Sequence, residues 1–163
     1  MPFKIIRSDI TKVHADAVVN TANPHVAVGA GVDSAIYAAA GRDRLLKARA
    51  KVGTLAAGEV GITKAFDLPA RYIIHSSGPA WVDGRHQEPE LLRRCYDKAL
   101  VMAYAHRCKS IAFPLMATGS YGFPKELGIQ MHLHHFCRSM RWTSRLWCLM
   151  IIHIMYQENG MMM

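Results

Sequence analysis

The chain has 163 residues, 51% hydrophobic and 20% charged, which allows one domain with a sizeable core and excludes disordered or fibrous compositions. A formal net charge of +8, with nine histidines besides, suits an anionic partner, but no run of lysines and arginines exceeds two, so nucleic acid is not the expected one. Cys95, Cys108, Cys137 and Cys148 form no CxxC pair and no signal-like segment opens the sequence, so a reduced, cytoplasmic setting is expected. The longest apolar run, Leu146 to Ile152, falls far short of the roughly 20 residues that cross a bilayer, so no membrane anchor is expected.

In chain order, Phe3–Arg7 and Ala17–Val19 are β-leaning runs, the second ending at Asn20 before the turn-forming Asn23-Pro24. Asp9 follows the first run. It can accept a hydrogen bond from a ligand amine, or bond its own turn, which is the commoner fate of an aspartate there. After the second run comes Val28-Gly29-Ala30-Gly31-Val32-Asp33, opening an alanine-rich helix, Ser34–Ala40, that stops at Gly41. A further helix, Arg42–Lys51, follows. Glycines let the main chain approach a ligand and a helix start offers free N–H groups, so this segment is a candidate anion cradle. It is neither a Walker loop nor a full GxGxxG, since Ser34 stands where the third glycine would be. The plainer alternative is a tight turn with Asp33 as N-cap.

Tyr72–His75 and Ser110–Phe113 are further strand-length apolar runs. Between them Leu92, Cys95, Tyr96, Ala99, Leu100 and Ala103 recur at helical spacing, the buried stripe of an amphipathic helix. Strands alternating with helices predict a largely parallel or mixed sheet with ligands held at the carboxyl ends of its strands. After the last run, Gly119 and Gly122 bracket Ser120 and Tyr121, and Phe123 precedes a proline able to start a helix. This is either a second phosphate-facing loop with rings to stack on a ligand or a glycine turn with core aromatics.

Taken together, Asp9-Ile10-Thr11, Val18-Val19-Asn20-Thr21-Ala22-Asn23-Pro24, Gly29-Ala30-Gly31-Val32-Asp33, Ile74-His75-Ser76-Ser77-Gly78-Pro79 and Gly119-Ser120-Tyr121-Gly122-Phe123-Pro124 resemble the macrodomain family, from about Phe3 to Gln130. The resemblance implies a three-layer α/β/α sandwich around a mixed, largely parallel sheet, with ADP-ribose or an ADP-ribosylated protein or metabolite as partner. It places Asp9 at the adenine amine, with Ile10 and Asn20 among the ligand-binding residues. Gly29, Ala30, Gly31 and Val32 would meet one side of the diphosphate and Gly119, Ser120, Tyr121 and Gly122 the other, with Phe123 near the distal ribose. The Asn23 and Asp33 pair resembles the hydrolase branch, which cleaves ADP-ribose from acidic side chains and deacetylates O-acetyl-ADP-ribose. There Asn23 would hold the ribose hydroxyls while Asp33 orients or activates a water beside the ligand's own phosphate. No metal or other cofactor is implied. Ala30 departs from the glycine of many relatives, and its methyl group can crowd the phosphate. The alternative is a non-catalytic reader of ADP-ribose.

The resemblance marks residues 1–130 as the macrodomain body and 131–163 as an atypical tail in place of the expected last helix and strand. From Met131 onward there is no Ala, Val, Asp, Lys or Pro, while seven of the ten methionines fall there. With permitted codon choices, Arg138 to Ile154 can spell a helix end and a valine-rich strand in a shifted reading frame, which points to a frame-changing insertion or deletion near codon 130. Leu146–Ile152 is apolar enough to occupy the vacant strand position. His132, His134, His135 and Cys137 match no zinc spacing, so no metal site is expected there.

Overall fold

Ala17, Val18, Val19 and Asn20 are all buried in β2 (Ala15–Thr21), the pattern of a strand covered on both faces. The computed structural model describes residues 3–139 and 147–152. In it β2 joins β1 (Phe3–Arg7), β3 (Val60–Lys64), β4 (Ala70–Ser76), β5 (Ser110–Pro114) and β6 (Trp147–Ile152) in one sheet. The strand order is β1-β6-β5-β2-β4-β3, with every pair parallel except the antiparallel β3 and β4.

Successive β2 residues feed two cores because a pleated strand turns them to opposite faces. On one face Ile36, Tyr37 and Ala40 of α1 (Val32–Ala40) and Leu45 of α2 (Arg42–Val52) pack with Val18, Ile73 and Ala112. On the other, α3 (Glu88–Ala105) packs against Ala17, Val19, Ile74, Ile111 and Phe113. Leu127 and Met131 of α4 (Lys125–Ser139) pack against that second cluster. This is the expected α/β/α sandwich with a mixed, largely parallel sheet. All six residues of the predicted α3 stripe are buried.

The register lines up the strand ends: Thr21 pairs with Ser76, Val18 with Ala112, Pro114 with Ile151 and Arg7 with Ile152. The loops after β1, β2, β4 and β5 therefore leave one edge of the sheet. From β2 the chain runs toward β4 and β3, and from β5 toward β6, so a crevice opens between β2 and β5 at a topological switch point.

Two local features differ from the sequence expectation. β3 is absent from it because Gly61 interrupts the β-leaning run, and the glycine is required: a Cβ there would collide with Val52 of α2. The helix α1 starts at Val32 with Gly31 as N-cap, so Asp33 lies inside the first turn instead of capping it.

The change of composition at residue 131 falls within α4, and β6 lies between β1 and β5, pairing Met150 with both Ile5 and Phe113. The apolar stretch thus fills the strand position. Of the segment on which the frame-change reading turns, residues 140–146 and 153–154 lie outside the described residues. His132 packs its ring edge-on to Tyr96 at 4.7 Å, and His134 is exposed. The side chains of His135 and Cys137 lie outside the described residues. A chain ending at residue 146 would lose β6 and bare the edges of β1 and β5. Its soluble yield and melting temperature are expected to fall, and an unchanged thermal melt would show that β6 is not integral to the sheet.

Candidate functional site

The loop between β2 and α1 is wrapped around one carboxylate. Asp33 is 2% exposed, and its Oδ1 accepts from Asn20 Nδ2 at 2.6 Å while its Oδ2 accepts from the Gly29 N–H at 2.6 Å. A Cβ on Gly29 would stand 3.0 Å from that same Oδ2, so any larger residue there would press on the carboxylate. Burial raises the Asp33 pKa; hydrogen bonds from Asn20 and from the Gly29 and Asn23 main chain, then the charge of Arg49, pull it back. The Gly29 N–H is thus spent inside the protein. Ala30, Gly31 and Val32, at the start of α1, supply main-chain N–H groups at the positive end of the helix dipole. Ala30 is exposed, and Gly31 adopts φ +65°, a conformation that favours glycine.

Asn23 is held from two directions. Its Oδ1 accepts from the His25 N–H at 3.0 Å, which leaves the amide to act as a donor. Its carbonyl accepts from Arg49 at 3.2 Å, and Arg49 also donates to the Gly53 carbonyl. Arg49 is 1% exposed; burial lowers its pKa, while nearby Tyr37 and Asp33 raise it. A buried cation on α2 therefore anchors the loop from below.

The loop after β5 forms the opposite wall. Gly122 donates to the Gly119 carbonyl at 3.0 Å and the Phe123 N–H to the Ala117 carbonyl at 2.9 Å. Phe123 is buried, with Trp81 edge-on at 4.9 Å, and the Trp81 N–H donates to the Tyr121 carbonyl at 2.8 Å. Gly119, Ser120 and Gly122 are exposed and Tyr121 is half-buried. Burial and then the charge of Asp33 raise the Tyr121 pKa, so this phenol lies within electrostatic reach of Asp33. Asp9, at the edge, caps a short 3-10 turn, Ile10–Lys12, its Oδ1 accepting from the Thr11 N–H and hydroxyl at 2.9 and 2.7 Å. The Ile10 side chain enters the core.

The family model described as Macro domain matches residues 19–132. The chain belongs to the Macro domain family. It is 47% identical over 137 residues to a Macro domain-containing protein of Listeria monocytogenes, covering 82% of this chain and 78% of the relative. An O-acetyl-ADP-ribose deacetylase 1 of Pantoea vagans is 46% identical over 125 residues, covering 75% and 73%. A mutant of the Oceanobacillus iheyensis macrodomain with ADPR superposes with TM-score 0.87 at 34% identity, covering 94% of this chain and 86% of that one.

Of the residues singled out in the sequence, this macrodomain brings Asn20, Asn23, Gly29 and Asp33 into one network, with Tyr121 within electrostatic reach of Asp33. It puts Ile10 and Phe123 into the core. Arg49, Trp81 and Glu88 were missed, since a lone Arg in a helix or a lone Glu at a helix start carries no distinguishing spacing. Glu88 is buried, and its carboxylate accepts the N–H groups of Val82, Asp83, Gly84 and His86 at 2.6 to 3.1 Å. Burial alone would raise its pKa, but these main-chain bonds hold it down at about 2. Ligand atoms of Asp83, His86 and Glu88 lie within 4.8 Å of one another, as a cation site would need, yet the Glu88 oxygens already clamp the loop beside Trp81.

His75 is fully buried, and burial followed by the charge of Arg49 lowers its pKa to about 3. Its neutral form belongs to the folded state, so the unfolded chain takes up more protons between the ordinary value of 6.5 and about 3. The resulting stability is present above pH 6.5 and is lost as pH falls. Urea unfolding between pH 6.5 and 4.5 should show stability dropping by at most about 1.4 kcal/mol per unit. Asp33, with its raised pKa, acts in the opposite sense and lowers the net slope. A flat profile would show that His75 is not held neutral.

Proposed function

We propose that this macrodomain binds ADP-ribose in the crevice between β2 and β5 and hydrolyses ADP-ribosyl esters, both those on acidic side chains and O-acetyl-ADP-ribose. The observation that carries the reading is the buried Asp33 network, which shapes the β2 loop into a cradle within electrostatic reach of Tyr121 on the second glycine loop. A diphosphate carries charge on both sides, and N–H groups from Ala30 to Val32 and from the Gly119 to Gly122 segment embrace it. The Asp9 carboxylate receives the adenine amine, and the Asn23 amide donates to the distal ribose.

In the hydrolytic step a water beside the ligand's phosphate attacks the ester, releasing the carboxylic acid and leaving a hydroxyl on the ribose. The phosphate takes the water's proton as the new bond forms and passes it to the departing ribose oxygen as the ester bond breaks. Asp33 acts by positioning, because both its oxygens already accept hydrogen bonds. The name of the Pantoea relative supports the deacetylase half of this reading. That same engagement of Asp33 favours a second reading: a reader module that binds ADP-ribose and turns nothing over.

Calorimetric titration with ADP-ribose, followed by release assays on a glutamate-ADP-ribosylated peptide and on O-acetyl-ADP-ribose, tests both. Asn23→Ala is expected to lower turnover by about 10²- to 10³-fold, the cost of removing a well-placed donor. Binding without turnover in the parent chain assigns the reader. No binding at all overturns the site.

The fold itself supports a separate expectation. Asp33→Ala leaves Asn20 Nδ2 and the Gly29 N–H without their acceptor, a loss of about 1–3 kcal/mol for each group left buried and unpaired. A lowered urea midpoint together with loss of ADP-ribose binding is expected, whereas unchanged stability would show that Asp33 does not hold the loop.

A further inference from the structure

A row of buried polar side chains crosses the sheet on its α1/α2 face, starting at an edge strand far from the crevice. Thr63 on β3 lies 2.9 Å from His75 on β4, through Oγ1 and Nε2. His75 Nδ1 lies 3.3 Å from Asn20 Nδ2 on β2, where Asn20 and His75 are direct partners in the strand register. Asn20 Nδ2 then reaches Asp33 Oδ1 at 2.6 Å. Asn20 and His75 are fully buried, Thr63 is 8% exposed and Asp33 is 2% exposed.

The protons of this row have one consistent arrangement, reached independently from each end. At the Asp33 end, Asn20 must turn its NH2 toward the carboxylate, since a carbonyl there would oppose a negative oxygen. Its other N–H then points at His75 Nδ1, which must be the unprotonated nitrogen. At the far end, the Thr63 hydroxyl donates to the Lys64 carbonyl at 3.0 Å, so its oxygen can only accept, and His75 must carry its proton on Nε2. Both ends select the same neutral tautomer. Asn20 Oδ1 is buried with no hydrogen-bond partner among the described residues, so the amide is held for its two donations alone.

We propose that Thr63 and His75 are positioning residues: with Asn20 they form a hydrogen-bond row across three strands, donating outward in both directions from the Asn20 amide, that fixes the orientation of the Asp33 carboxylate. Removing the far acceptor frees the imidazole to turn or change tautomer, and Asn20 then loses the partner that locks its amide plane. The inference rests on the site proposed above only in that Asp33 shapes the crevice. The charged and titratable groups facing the row are Arg49 from α2, Tyr37 from α1 and Tyr121 from the β5 loop.

The test compares the parent chain with Thr63→Val and Thr63→Ser by NMR. In the parent, the His75 imidazole should show the Nε2-protonated tautomer and stay neutral well below pH 6. Thr63→Val should abolish that fixed tautomer and move the Asp33 carboxyl titration upward by about half a unit, because a hydrogen bond to the charged form is weakened. Thr63→Ser, which keeps the hydroxyl, should restore both. If the chain is a hydrolase, the acid limb of kcat moves with the titration while ADP-ribose affinity holds. Failure of turnover leaves the carboxyl titration readable, so it does not touch this inference. An Nδ1-protonated parent imidazole, ordinary titration of His75, or an Asp33 titration unmoved by Thr63→Val would overturn it. The parent spectrum decides the tautomer even if Thr63→Val fails to fold.

Discussion

A carboxylate withdrawn from water must be met by hydrogen bonds and opposite charge, and the surroundings of Asp33 are organised by that requirement. Asn20 and the Gly29 amide meet its two oxygens, and Arg49 provides positive charge from α2. Arg49 is itself buried and takes the Asn23 and Gly53 carbonyls as acceptors. The shape of the β2 loop is therefore the solution to a solvation problem. A loop so determined presents its remaining N–H groups and the Asn23 amide in one fixed arrangement, which is what preorganised recognition of an anion needs.

Topology supplies the second wall. The strand order places β5 beside β2 although β3, β4 and α3 intervene in the chain, and the loop after β4 braces the β5 wall through Trp81. Glu88 fixes the next turn of that loop by gathering four main-chain N–H groups on one carboxylate. The two buried acids thus do similar work on opposite walls, each folding a loop around itself. They differ in what opposes burial. Main-chain dipoles hold Glu88 well below the ordinary carboxylate range, whereas Asp33 stays above it despite its bonds and the charge of Arg49.

Much of the fold was legible because its signals are local. Strand-length apolar runs mark β1, β2, β4 and β5, a period-3.6 stripe marks α3, and Gly41 stops α1 where expected. β3 was not legible, since Gly61 answers to Val52 on another element and only the packed structure reveals the need for it. The same division runs through the site. Asn20, Asn23, Asp33 and the glycines stand in dense motifs, whereas Arg49, Thr63 and Trp81 act through partners on other elements and look ordinary in sequence. Even Asp33, singled out in the sequence, takes a position in the helix turn that its sequence neighbours would assign to a cap.

The place of β6 in the sheet has a consequence for how the chain assembles. Among the described residues β1 finds its sheet neighbour in β6, the last of the six strands in chain order. β1 must therefore wait for β6 until every strand between them has emerged, and closing so long a loop is entropically costly and slow. The remaining four strands pair among themselves and can order first, so quality control in the cell would meet a half-built sheet whose margin at β5 is sealed only when β6 arrives.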